Sequence, residues 1–153
     1  MDFHVRVYEP GDRDEIVGMA DRLTVGVAPW RDREAVVAAV RGWVTDAVDR
    51  AGTGDDRVVL VAEQAGVVVG FISTEEQRHW SGQLDVYVGE LVVREDREGY
   101  GIGRALVRAV EEWARGRGVA RIRLTTGAAN DGALGLYEAV GYEREDITLS
   151  RAL

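Results

Sequence analysis

The chain contains no cysteine. Disulfides, thiolate metal sites and a cysteine nucleophile are therefore excluded, and a reducing compartment is compatible with the composition. Histidine is nearly as scarce. His4 and His79 are the only two, isolated from each other, so a metal centre is not expected. A carboxylate-only magnesium site is not suggested either. Positive charge is in deficit, with 19 Lys and Arg against 27 Asp and Glu and a formal net charge of -8. General nucleic-acid binding needs a basic face that releases counterions, so it is not expected here. The acidic balance mildly favours a cationic substrate. No stretch approaches 18 consecutive apolar residues, so no membrane span is expected. The opening MDFHVRVYEP lacks the apolar run of a signal peptide, and the expected location is the cytoplasm.

What is present is the composition of an ordinary globular chain. Its 153 residues are 46% hydrophobic and 30% charged, enough for one domain over residues 1–153 with a full core. No linker, repeat or low-complexity tract divides it. Apolar alternation predicts strands over residues 3–8, 58–62, 67–72, 84–93, 119–126 and 142–152. Helical spacing predicts helices over 11–23 (after an Asp12 cap), 31–51, 102–117 and 130–140. Residues 24–29 form a loop, and 74–83 a polar stretch containing Trp80. Gly89 interrupts its strand, as glycines at bulges do. Trp30, Trp43, Trp80 and Trp113 are expected in the core or at an interface, with Trp30 and Trp80 in loops. The order gives an α/β domain around a mixed, mostly antiparallel central sheet flanked by about four helices. The strands on either side of the 102–117 helix should be parallel.

One stretch carries most of the chemical information. Between Leu91 and Gly103 the chain reads LVVREDREGYGIG, and an apolar helix bearing Arg104 follows at once. Gly99, Gly101 and Gly103 alternate at the helix entrance, where bare backbone N–H groups and roughly half a positive charge from the helix dipole make an anion cradle. A phosphate or pyrophosphate is its natural guest. A dinucleotide-binding G-x-G-x-x-G would need glycine at 104 or 106, where the chain has Arg104 and Leu106, and the acidic partner at the next strand is replaced by Arg121 and Arg123. The Gly-Lys-Ser/Thr of a P-loop is absent. The alternating glycines could also be only a tight strand-to-helix turn.

Together with AANDGALGLYEAVGY, about 30 residues further on, this stretch resembles the GNAT superfamily of acyl-CoA-dependent N-acyltransferases, and the element order resembles it over nearly the whole chain. The second segment is similar to the family pattern N-x-x-A-x-x-x-Y-x-x-x-G-[FY]. The resemblance implies acetyl-CoA as cosubstrate and no metal. It implies that Leu91, Val92 and Val93 present backbone groups to the thioester and pantetheine arm. The backbone of Glu98, Gly99, Tyr100, Gly101, Ile102 and Gly103 would hold the pyrophosphate, and Arg104 would add charge. Asn130 would contact the pantetheine region, although it could equally cap the following helix. Tyr137 would protonate the leaving thiolate, its alternative being a core tyrosine. One departure is clear: Glu98 occupies the position where the family usually carries Gln or Arg.

The implied reaction is direct attack of an amine on the thioester in a ternary complex, with a strand amide as oxyanion donor. No Ser/His/Asp signature suggests an acyl-enzyme. Glu90, just before the LVV segment, leads as general base, with Asp85, Tyr87 or water as alternatives. His79, Glu75 and Glu76 are expected at the surface, the two glutamates with an option on the acceptor pocket. In the family the loop between the first two helices often walls that pocket, which places residues 24–31 near the substrate. The expected acceptor is the amine of a small molecule, with a protein N-terminus or lysine as the alternative, and a CoA-binding sensor without turnover as a rival. Family members are often dimers, so a homodimer is an expectation of the resemblance.

Overall fold

The computed structural model describes residues 2–153. Five strands form one sheet in the order β1-β2-β3-β4-β5. They are β1 (His4–Val7), β2 (Arg57–Gln64), β3 (Val67–Arg78), β4 (Leu84–Val93) and β5 (Ile122–Leu124). Four α-helices flank them: α1 (Arg13–Gly18), α2 (Arg33–Asp49), α3 (Ile102–Gly116) and α4 (Asp131–Ala139). The first four strands are antiparallel neighbours, and β4 and β5, joined through α3, are parallel. This is the mixed, mostly antiparallel sheet that the patterning predicts.

Each face of the sheet has its own core. Leu60, Ala62, Ile72, Val86 and Val88 meet Ile102, Leu106, Val107 and Val110 of α3, and Tyr137 of α4. On the other face Val61, Val68, Phe71 and Val92 meet Ile16 of α1 and Val44 and Val48 of α2. The alternation of β2 explains this directly, since period-two side chains point to opposite faces. The 65–66 turn between β2 and β3 holds both Ala65 (φ 51) and Gly66 (φ 80) in the left-handed region, as a two-residue hairpin of matching twist requires.

Four expectations need correction. The helix expected over 11–23 is broken into a 3-10 turn at Pro10–Asp12, the short α1, and a second 3-10 turn at Ala20–Thr24. Asp12 does not cap α1 with its side chain, because its carboxylate takes two bonds from Arg6 (2.8 and 2.9 Å) and one from the Glu9 amide (2.8 Å). β3 runs six residues past Ile72, because its polar half still pairs with β4 throughout and with β2 as far as Glu75, and ties its carboxylates to Arg50, Arg57 and Arg117. The strand expected over 142–152 is not formed. Residues 143–146 are all charged, and the adjoining β5 offers only three residues of edge, leaving Ile147 and Leu149 75% and 88% exposed. Trp43 lies on the solvent face of α2, 57% exposed, while Trp113 alone of the four packs against a core.

Candidate active site

β4 pairs with β3 along its whole length but with β5 only at Val86, Tyr87 and Val88. Beyond Val88 the two strands part, so every second backbone N–H and C=O of residues 89–93 points to a side that β5 has left. The parting coincides with a β-bulge. Thr74 faces Val88 and Ser73 faces Glu90, leaving Gly89 as the extra residue. A Cβ at Gly89 would lie 3.3 Å from the Ser73 hydroxyl, a tight contact that favours glycine there. The bulge also resets the alternation: Val86 and Val88 face α3, and after it Leu91 and Val93 take that face while Val92 turns to the α1 and α2 side.

The strand leads through a 3-10 turn (Glu95–Arg97) into the N-terminus of α3. Gly99 and Gly101 take φ of 80° and 81°, with no heavy atom within 4 Å of where a Cβ would stand. Gly101 is the N-cap of α3 and no side chain caps it, so the first-turn N–H groups are available to an anion. These residues fit a pyrophosphate. Gly103 differs from its neighbours: a Cβ there would meet Leu136 at 3.3 Å, so its smallness lets α3 and α4 approach. Ile102 is buried in the core and can offer only backbone, whereas Tyr100 and Arg104 are exposed. The Glu98 carboxylate is ion-paired with Arg22. A cleft of about 710 Å³ between α1 and the turn after β4 is lined by Asp14, Glu15, Arg22, Arg94, Glu95 and Asp96 among others. Its four carboxylates outnumber the guanidiniums of Arg22 and Arg94, and the bare first-turn amides lie at α3, so the cradle suits a phosphate better than the body of this cleft.

Glu90 is largely buried on the face opposite α3. The Ser73 hydroxyl donates to its carboxylate, and the Glu90 amide donates back to Ser73 Oγ at 3.1 Å. Burial pushes the Glu90 carboxyl above the usual carboxylate range; the Ser73 bond opposes this, and the charges of Glu75 and Asp46 add to it. The alternatives on the same strand are occupied. Asp85 is buried against Arg123 (3.1 Å), and the same guanidinium lies over the Tyr87 ring at 4.9 Å. His79 Nδ1 is bonded to Ser81 (2.7 Å) in the β3–β4 turn.

Asn130 is the N-cap of α4. Its Oδ1 accepts from the Ala133 amide (3.2 Å) and its Nδ2 donates to the Val25 carbonyl (3.4 Å), so the capping role is realised and the loop after Thr24 is brought to it. Tyr137 is buried in the core beneath α3, its ring 5.5 Å from that of Tyr142. Among the described residues its hydroxyl has no hydrogen-bond partner, and burial raises the phenol to about 12. Ser73 and Arg22 escape sequence reasoning. Ser73 sits at the end of an apolar run and gains meaning only from its register with Glu90, and Arg22 meets Glu98 across 76 positions of chain.

Comparison with known proteins agrees with this architecture. The acetyltransferase (GNAT) family model matches residues 24–142. An acetyltransferase of Sodalis glossinidius (SG1711) is 30% identical over 145 residues, 95% of this chain and 90% of that one. The fold is similar to that of PaiA N-acetyltransferase from Thermoplasma acidophilum, solved in complex with coenzyme A (TM-score 0.78, 18% identity, 97% and 94% of the two chains). It is also similar to glucosamine-6-phosphate N-acetyltransferase from Arabidopsis thaliana (TM-score 0.69, 18% identity, 99% of each chain). The parted strand, the uncapped glycine-rich helix entrance and these matches converge: the chain belongs to the GNAT family of acetyltransferases, enzymes that transfer acyl groups from acyl-CoA.

Proposed function

We propose that this protein transfers the acetyl group of acetyl-CoA to the primary amine of a small molecule by direct attack in a ternary complex. The observation that carries the reading is the continuity of the open edge of β4 with the uncapped N-terminus of α3. One strand thus offers amides to a thioester while the helix it leads into offers amides to a pyrophosphate. Backbone groups of Leu91, Val92 and Val93 hold the pantetheine arm, and those of Glu98 to Gly103 the pyrophosphate. Asn130, fixed as a helix cap, borders the arm, and Arg104 adds positive charge in the first turn of α3.

Acetyl-CoA supplies an activated acyl carbon and a thiolate leaving group. An amine arrives as an ammonium and has no lone pair until a base removes a proton. Glu90 is that base, directly or through one water. Its buried carboxyl, held above the usual carboxylate range, is a better acceptor than a solvated one. The nitrogen then bonds to the carbonyl carbon, a β4 amide donates to the oxyanion, and the C–S bond breaks. Tyr137, fully protonated at neutral pH, gives its proton to the sulfur and is restored by the proton that the nitrogen sheds as the amide forms.

The test is calorimetric titration with acetyl-CoA, with NADH as control, followed by thiol release over a panel of small amines, peptides with free N-termini and lysine peptides. Micromolar binding of acetyl-CoA alone, with turnover on small amines, is the expected result. Binding without turnover on any acceptor would mark a sensor, and turnover confined to peptides would reassign the acceptor. No acetyl-CoA binding would remove the cofactor assignment.

A further inference from the structure

Glu98 poses an electrostatic problem that Arg22 resolves. A carboxylate in a pyrophosphate cradle repels its guest, yet this one is drawn to the guanidinium of Arg22, on the 3-10 turn Ala20–Thr24 that packs against β4. That turn is anchored from behind, because Asp21 takes two bonds from Arg41 of α2 (2.7 and 2.8 Å). Arg22 uses only one Nη2 donor on Glu98, and its Nε is buried without an acceptor among the described residues. The buried Nε is out of a ligand's reach, but Nη1 and the second Nη2 hydrogen are left over for one.

The chain after Arg22 reaches the start of α4. Val25 accepts the bond from Asn130 at the start of α4, and Gly26 (φ 85) lies so close to Asn130 that a Cβ there would overlap it. Residues 22–26 therefore run from the turn that opens α3 to the residue that opens α4, across the gap where β4 and β5 part. The first residue of this strap stands at the cradle.

We infer that Arg22 is a cofactor-binding residue, which neutralises Glu98 and lends its unused donors to the pyrophosphate of the acyl-CoA. It supplies from a different element a hydrogen-bond donor that Glu98, in the position before the glycines, cannot be. An exposed single-point ion pair is weak, whereas guanidinium-to-phosphate bonds are charge-assisted at both ends, so sharing Arg22 with a phosphate is favourable. The inference rests on the proposed cofactor site.

The experiment measures calorimetric affinities of the whole protein for acetyl-CoA and for S-acetyl-pantetheine, which has the same thioester arm and no pyrophosphate. Arg22→Ala should weaken acetyl-CoA at least tenfold and leave S-acetyl-pantetheine within twofold. Arg22→Lys, which keeps the charge and loses the fork, should fall between, and it carries the same comparison if the alanine variant does not fold. Glu98→Gln should bind acetyl-CoA at least as tightly as the wild type, and adding Arg22→Ala to it should still cost affinity, because the contact with phosphate is direct. Unchanged acetyl-CoA binding in the Arg22 variants, or equal weakening of both ligands, overturns the inference and leaves the cofactor site standing. A wild type that binds neither ligand overturns the cofactor site itself.

Discussion

Ser73 and Glu90 hold each other across the β3–β4 bulge, the hydroxyl donating to the carboxylate and the Glu90 amide donating to the hydroxyl oxygen at 3.1 Å. Because Ser73 favours the ionised carboxyl while burial disfavours it, the pair sets the pH at which Glu90 can accept a proton. In the proposed role of base Glu90 must be ionised, so the rate should fall as pH drops through its raised pKa. Ser73→Ala removes the bond that lowers this value and should move the acid limb of the kcat/KM profile to higher pH. Glu90→Gln should abolish the limb and lower kcat by roughly 10²- to 10⁴-fold with acetyl-CoA affinity unchanged. An acid limb unmoved in both variants would assign the base elsewhere.

Gly101→Trp should eliminate acetyl-CoA binding in a folded protein. No heavy atom lies within 4 Å of the Cβ position, so the indole enters the open cradle and not the core. The left-handed backbone (φ 81) makes the substitution cost about 1–2 kcal/mol of stability in addition. Calorimetry and a thermal melt separate the two effects, and retained affinity would dissociate the cradle from the cofactor.

Tyr137→Phe should lower kcat while the acetyl-CoA dissociation constant stays put, since the ring and its packing remain. With the phenol raised to about 12, the wild type keeps its acid form across the ordinary range, so Tyr137 should impose no alkaline limb below pH 10. Full activity of the variant would reduce Tyr137 to the core tyrosine that helical spacing equally allows.

Arg6→Met tests the buried network beside β1. Arg6 holds the Asp12 carboxyl below its usual range through two hydrogen bonds, and Asp12 is only 7% exposed. A carboxyl depressed in the folded state adds stability above its unfolded pKa, and that stability is lost as pH falls through the depressed value. The variant should lose about 1–3 kcal/mol at neutral pH by leaving Asp12 without its partner. Its stability should then fall less steeply in acid than that of the wild type. Urea melts at pH 7 and pH 3 read both effects.

The strands 58–62 and 84–93, the 102–117 helix and the short helix after Asn130 were legible because apolar spacing there has a clear period and glycines stop it. The open helix entrance was legible for a related reason: Gly99 and Gly101 leave backbone bare there, whereas the packing role of Gly103 against Leu136 was not readable from their alternation. The last strand, over 142–152, was misread. Alternation is necessary for a strand, but a strand also needs an edge to join, and whether β5 offers one is not written in the local sequence. The extra half of β3 was missed for the converse reason, since its polar residues find cross-strand and helix-borne arginines that no local window contains.

The sequence by itself determined the membership of this protein in its family, the order of its elements and the place where its backbone is bare, because period, turn chemistry and glycine freedom act over a few neighbouring residues. Only the tertiary structure decided that Ser73 tunes Glu90, that Asp85 is occupied by Arg123, and that Arg22 answers Glu98. Ion pairs and desolvation depend on which residues the sheet register and the helix packing bring within a few ångströms, and those residues lie tens of positions apart in the chain.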